Sequence, residues 1–352
     1  MRVTDERTMR AMVLAEWSGE PELLSVPIPR PGPGEVLVRV VACGAGLTLM
    51  NIRRGVLGGQ TPRIMGHELG GVIERLGEGV GAWQVGQRVT ATFYLICGHC
   101  RSCRAGRDNL CEHMEGVLGA ALDGAFAEFV VVRERNLVAV PDDVELAVAG
   151  VVSDAVATPF HAAHARARLV PGERVGVIGA GGGVGIHMVE MARAFGASVV
   201  AIERDAAKLA RLAELGGLEA IVGAPAELSS AELVERAGGP LDAVFDTVGA
   251  PQTLRLGLSS LGRGGRLVII GVHPGGVVDG VESIEMIHGE RAILGTRYAS
   301  RSDIACALEL VAQGRVRVHI GARFPLERLG DAFAAIQGSD VFGRIVIDVA
   351  QE

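Results

Sequence analysis

The chain has 352 residues, 49% of them hydrophobic, and a formal net charge of −7. That length suits two domains, each with a core of its own, and the evenly spread charge excludes a nucleic-acid or anionic-membrane surface. No run approaches the roughly 18 uninterrupted apolar residues of a membrane helix, and the charged start MRVTDERTMRAMVLAEW excludes a secretory signal, so a soluble cytoplasmic protein is expected, with small molecules and copies of itself as partners.

Residues 10 to about 140 carry short β-type runs, AMVLAEW, EVLVRVVA, GGVIERLG, QRVTAT and AEFVVV, separated by Gly and Pro. Helical periodicity is scarce there, which predicts a mainly β lobe. Within it, CGHCRSCRAGRDNLC places Cys97, Cys100, Cys103 and Cys111 at Cys-x-x-Cys-x-x-Cys-x(7)-Cys. Four thiolates in one loop suit a closed tetrahedral zinc site, structural because no position is left for substrate. An iron–sulfur cluster is the competing reading, because ferredoxin spacings are similar. His99 and His113 are expected to be bystanders.

From about 155 the texture changes to alternating strands and helices, the pattern of right-handed βαβ units around a parallel sheet. ERVGVIGAGGGVG reads as a buried strand entering a glycine loop, with the helix IHMVEMARAFGA behind it and the strand SVVAIE next. Gly179, Gly182 and Gly185 punctuate the turn, with Gly181 and Gly183 adding slack. Such a loop fits a dinucleotide pyrophosphate laid on backbone N–H groups at a helix N-terminus. Glu203, ending the next strand, is placed to accept from the ribose hydroxyls and to repel a 2′-phosphate, which favours NAD(H). Arg204 beside it leaves NADP(H) open, since a guanidinium pairs a phosphate. Lys208, the single lysine beside 33 arginines, is expected on the solvated surface. DAVFDTV and RLVIIGV continue the alternation, and after about 297 come the helices IACALELVAQG and LGDAFAAIQ and a last strand, GRIVIDVA. Cys43 and Cys306 are expected in the core.

The order of these signals, with GHELGGVIERLGEGV at 66 to 80 ahead of the cysteine loop, resembles the zinc-containing medium-chain dehydrogenase/reductase superfamily, the family of the alcohol dehydrogenases. The resemblance implies an α/β protein: a GroES-like, mainly β catalytic domain at 1–154 and 298–352, with its structural-zinc lobe at about 94–113. A Rossmann domain with a doubly wound parallel sheet would be inserted at 155–297, the active site would lie in the cleft between the two, and the chain would form a homodimer or homotetramer. It also implies cofactor contacts from Thr158, Gly179, Gly181, Gly182, Gly183, Val184, Glu203, Arg204, Val248, Gly271 and Val272.

For the catalytic zinc, the family's ligand positions fall on His67, with Glu68 close by, and on Asp154; its cysteine position falls on Gly46. Thr48 matches the proton-relay hydroxyl. Leu47 and Leu49 replace polar residues, predicting an apolar pocket floor, and Asn51 stands where a shuttling histidine often sits. Phe93 and Tyr94 fall where the family lines its substrate pocket. Alcohol oxidation requires ionising a hydroxyl of pKa about 16, which costs about 12 kcal/mol at neutral pH, and zinc ordinarily removes most of that. Glycine donates nothing, so a His67, Glu68 and Asp154 site would be harder and weaker. Three readings follow: NAD(P)(H)-dependent alcohol/carbonyl redox at a modified zinc site, reduction of an activated C=C without catalytic zinc, or cofactor binding without turnover. GGGVGIH and the stretch from DTVGAP onward are similar to acryloyl-coenzyme A reductases, and SDAVATPFHA resembles dehydrogenases of cyclic hydroxyacyl-coenzyme A.

Overall fold

The computed structural model describes residues 4–223, 228–278 and 281–350. The chain forms two compact units, Met1–Ala157 with Ala299–Gly314 and Ile320–Glu352, and Thr158–Tyr298 with Arg315–His319.

In the first unit the Val-rich runs become the strands of a seven-stranded sheet. Its order is Ile320–Pro325, Arg344–Asp348, Glu35–Ala45, Glu68–Leu76, Arg88–Ala91 and Leu137–Ala139, with Phe129–Arg133 also paired to Glu35–Ala45. Both faces of Glu35–Ala45 are largely covered: Val36, Val38, Val40 and Ala42 are buried on one, Leu37, Val41 and Cys43 on the other. A smaller sheet joins Thr4–Leu14 to Glu22–Pro29 and to Arg63–Ile64. Glu22–Pro29 has no clear sequence signal: Pro27 and Pro29 break the pattern and are tolerated because this is an edge strand.

Register sets up the site. Gly44 pairs with Glu68 on one side of the strand Glu35–Ala45, and Ala45 pairs with Ile345 on the other. Arg344, one residue before Ile345, therefore stands beside Gly46. A helix packs across Glu68–Leu76 at a place without side chains: a Cβ on Gly70 would overlap the Leu146 carbonyl, and one on Gly150 would come within 2.7 Å of the Glu68 carbonyl. This approach brings the wide π-type turn Val152–Val156, with Asp154 inside it, against the strand.

That helix, Leu146–Ala167, is long and apolar enough to cross a membrane by length and composition, but 89% of its most apolar window is buried in the protein. It is a core helix.

The second unit holds a parallel sheet in the order Ala220–Gly223, Ser198–Glu203, Arg174–Ile178, Leu241–Asp246, Leu261–Ile269, Ala292–Gly295. The order reverses between Arg174–Ile178 and Leu241–Asp246, the switch point at which open α/β sheets bind ligands beyond the strand carboxyl ends. Ile178, Val200, Ile202, Val244 and Leu267 fill its core.

Three expectations are corrected. Lys208 is buried, 8% exposed, because Asp205 caps its helix and docks the first turn on the glycine loop, where the lysine stem covers Gly181. Cys306 is exposed: its helix, Arg301–Ala312, buries Asp303, Ile304, Ala307 and Leu308 instead. Leu49 is sealed in the core and Leu47 is 66% exposed, so only Leu47 presents apolar surface.

Candidate active site

The four cysteines of the loop converge. Their sulfurs all lie within 4.8 Å of one another, and Cys97 Sγ to Cys103 Sγ is 3.9 Å. Tetrahedral zinc with bonds of about 2.3 Å sets its sulfurs about 3.8 Å apart, so the donor set fits that ion. Backbone N–H groups of Cys97, Cys100 and Cys103 donate to Cys111, Cys97 and Cys100 Sγ at 3.3, 3.3 and 3.4 Å. Gly98 (φ 80°) takes the left-handed conformation that this tight turn needs. The Cys103 and Glu112 amides draw the Cys100 thiol down to about 6, while burial and the Cys100 sulfur push Cys103 up to about 12. His99 and His113 stack on each other at 6.3 Å between ring centroids and stand outside the four-sulfur group.

His67, Glu68 and Asp154 also meet, all fully or nearly fully buried. His67 Nε2 stands 3.6 Å from Glu68 Oε1 and 3.7 Å from Asp154 Oδ2, and neither ring nitrogen has a hydrogen-bond partner among the described residues. Phe93 presses on the imidazole edge to face at 4.9 Å, with Tyr94 against Phe93. Burial pushes the Glu68 carboxyl upward, and the neighbouring Arg344 guanidinium opposes that.

Sequence reasoning missed Arg344, which the fold brings to both carboxylates. It is 5% exposed; its Nε donates to Glu68 Oε2 at 3.1 Å, and its Nη2 donates to Glu68 Oε1 and, at 3.1 Å, to Asp154 Oδ2. A Cβ on Gly46 would overlap Nη1, and one on Gly44 would overlap the Glu68 carboxylate. These two glycines, two residues apart, make room for the acid and for its cation. The available signal was an arginine opening an otherwise buried strand, RIVID, in a chain that buries two carboxylates.

Zinc or a similar ion fits the triad as an N/O set. An unpartnered, fully buried imidazole nitrogen is what a metal relieves, and its spacing from the two oxygens is close to that of ligands sharing one small ion. Two features weaken the fit. His67 Nδ1 lacks the carboxylate or carbonyl that ordinarily orients a ligating histidine, and both acceptor oxygens are already engaged by Arg344. Thr48 opens the short helix Thr48–Arg53 directly after Gly46 and Leu47 and is half-buried, as is Asn51. Cys43, on the alternate face of its strand, donates to the Gly44 carbonyl at 3.4 Å, and burial pushes its thiol far up, so it is a core residue.

In the second unit Gly179 turns left-handed (φ 77°), and a Cβ on Gly185 would overlap the Gly179 carbonyl, so helix Gly185–Ala194 packs hard against the strand. Gly182 N–H donates to Gly179 O at 3.0 Å, Gly183 O meets His187 Nδ1 at 2.6 Å, and Val184 precedes the helix. Glu203 is 7% exposed; its Oε2 accepts from Gly181 N–H at 2.9 Å, and its Oε1 from Arg204 and Asp205 N–H at 2.8 and 3.1 Å. Arg204 itself is exposed. Val248 N–H donates to Asp246 Oδ1 at 2.8 Å, Gly271 N–H donates to Asp246 O at 2.9 Å, and a Cβ on Gly271 would overlap the Val248 backbone. These residues therefore crown the carboxyl ends of adjacent strands, with Val272 85% exposed. Thr158 is buried in the long helix. Thr247, absent from the sequence reading, bridges the switch point: its hydroxyl donates to Ile178 O at 2.8 Å.

Comparison with known proteins identifies the family. Residues 32–142 match the alcohol dehydrogenase GroES-like domain, and 183–313 match the zinc-binding dehydrogenase family. An alcohol dehydrogenase of Geobacillus stearothermophilus is 30% identical over 344 residues, 97% of this chain and 100% of that one. An acryloyl-coenzyme A reductase of Sulfurisphaera tokodaii is 30% identical over 344 residues, covering 96% and 99%. The cobalt- and zinc-bound thermostable alcohol dehydrogenase from Pyrobaculum aerophilum superposes with a TM-score of 0.87 at 30% identity, covering 97% and 100%. With matching models over both halves and relatives spanning nearly its whole length, the chain belongs to the zinc-containing medium-chain dehydrogenase/reductase superfamily and is an oxidoreductase of the alcohol dehydrogenase type.

Proposed function

We propose that the chain moves a hydride between NAD(H) and a small alcohol/carbonyl substrate at a zinc site built without a cysteine ligand. The observation that carries this reading is His67: a buried imidazole whose Nε2, without a hydrogen-bond partner among the described residues, stands 3.6 and 3.7 Å from two carboxylate oxygens. In the proposed arrangement His67, Glu68 and Asp154 hold the ion, which when bound supplies Lewis acidity toward the substrate oxygen. Thr48 Oγ1 takes the hydrogen bond of the substrate hydroxyl and passes its proton toward water. In the oxidative direction the C–H electron pair leaves with its hydrogen to the nicotinamide ring, so the alcohol is oxidised and NAD⁺ reduced. Phe93, against His67, excludes water from the reacting carbon. Gly179, Gly181, Gly182 and Gly183 with Val184 cradle the pyrophosphate, Glu203 holds the ribose, and Thr158, Val248, Gly271 and Val272 line the nicotinamide half. Glu203, held toward Gly181, favours NADH over NADPH. Four thiolates spaced as in zinc centres support a second, structural ion. A cytoplasmic homodimer or homotetramer completes the reading.

One observation favours a second reading, reduction of an activated C=C without a catalytic metal: Arg344 already balances charge at both carboxylates. The test is a panel of alcohols, aldehydes, enones and enoyl thioesters with NADH and NADPH, before and after chelation. Carbonyl turnover lost on chelation and restored by zinc supports the first reading. Enone turnover indifferent to chelators replaces it with the second, and cofactor binding without hydride exchange to any substrate removes both.

A further inference from the structure

We infer that Arg344 is a competing cation built into this cluster, so that a metal binds only by taking Glu68 Oε1 and Asp154 Oδ2 from the guanidinium and is held weakly and exchangeably. The inference rests on the reading of His67, Glu68 and Asp154 as a metal centre.

The argument is one of shared atoms. The two oxygens nearest His67 Nε2 are the two that Arg344 Nη2 engages. A dication reaching them would lie a few ångströms from a guanidinium that is itself 5% exposed and stays protonated at any working pH. Gly46 permits this: the space its side chain would fill is taken by Nη1. Relative to a site with a thiolate at 46 and no guanidinium, the local charge is two units more positive. Like-charge repulsion across about 4 to 5 Å in a partly desolvated site weakens ion binding by about tenfold or more. Among the described residues no guanidinium is hydrogen-bonded to the four sulfurs, so the two metal sites of one chain should differ greatly in affinity.

The test is zinc titration of the purified full chain against a chromophoric chelator, with metal content read by mass spectrometry and no substrate present. The wild type is expected to keep one zinc against the chelator and to release a second readily. Arg344→Met is expected to bind the second zinc about tenfold or more tighter, whereas Arg344→Lys, which keeps the charge, stays near the wild type. Gly46→Ala, whose methyl pushes the guanidinium aside without adding a donor, should tighten the site in the same direction and serves if Arg344→Met does not fold. Two zincs held equally firmly by the wild type, or an unchanged or weaker second site in a folded Arg344→Met or Gly46→Ala protein, would overturn the inference. These readouts do not depend on turnover, so a failed substrate panel would count against the proposed reaction alone.

Discussion

Arg344 and His67 address the same two atoms, Glu68 Oε1 and Asp154 Oδ2, from different directions. The cluster thus holds one cation in place and leaves His67 Nε2 without a hydrogen-bond partner among the described residues. Asp154→Ala removes an oxygen from both. It should lose the chelator-sensitive zinc, keep the four-sulfur zinc, and lower kcat/KM for carbonyl reduction by about 10²-fold or more, as expected when about 2.7 kcal/mol of transition-state stabilisation is lost. Metal content and steady-state kinetics on one preparation check this.

Thr48 is tested by what its hydroxyl does alone. Thr48→Ser keeps the oxygen and should retain activity within a few-fold. Thr48→Val keeps the shape and should lower kcat by about 10²-fold, the scale of a lost proton-transfer group, with little change in cofactor affinity. Equal losses in both variants would remove Thr48 from the relay.

Glu203 accepts three backbone N–H groups, so truncating it would loosen the glycine loop. Glu203→Gln keeps an acceptor and removes the charge. The ratio of kcat/KM for NADPH over NADH is expected to rise about tenfold, which corresponds to about 1.4 kcal/mol. An unmoved ratio would mean that something other than this carboxylate selects the nucleotide.

Chelation at the four-sulfur loop should act on stability. Cys103→Ser, or prolonged treatment with a strong chelator, is expected to lower the unfolding midpoint by several degrees while residual folded protein keeps its kcat. Calorimetry with and without added zinc reads it. The ion would tie down backbone that Asp108 also anchors, accepting from Arg301 N–H and Nε at 3.0 and 2.9 Å.

How far this was legible in the sequence follows from distance along the chain. The cysteine loop and the glycine loop are local, their geometry fixed by a dozen or so consecutive residues, so spacing alone announces them. His67 and Glu68 are adjacent and belong to a motif. Asp154 was reachable only through resemblance, because nothing in its apolar helix marks it. Arg344 gave only the faint signal of an arginine opening an apolar strand, one of 33 arginines, and was placed by the register of a strand 276 residues from Glu68. Cys306 and Lys208 were misplaced for a related reason, since which face a helix buries depends on what it packs against.

Acid stability should report the second unit. Arg266 holds Glu173 with Nη1 and Nη2, each at 2.8 Å; burial pushes the Glu173 carboxyl up, but Arg266 and the Val170 amide outweigh it, and the net direction is down. A lowered carboxyl contributes stability above its unfolded value, about 4.3, and loses it as pH falls through the folded one. Glu173→Gln should therefore be about 1–3 kcal/mol less stable than the wild type at pH 7, with the gap closing below about pH 4. Urea denaturation at both pH values measures it.

The strand Arg344–Asp348 lies inside the seven-stranded sheet, between Ile320–Pro325 and Glu35–Ala45. During synthesis, at about 5–20 residues per second, Glu68 leaves the ribosome tens of seconds before Arg344 does. Through that interval the Ala42–Ala45 end of the strand Glu35–Ala45 has a bare edge, and the two carboxylates have no Arg344 guanidinium to meet. The first unit is thus a domain one of whose inner strands is written last. Its nascent form should depend on chaperones that cover open strand edges, whereas the contiguous stretch of the second unit can fold as it emerges.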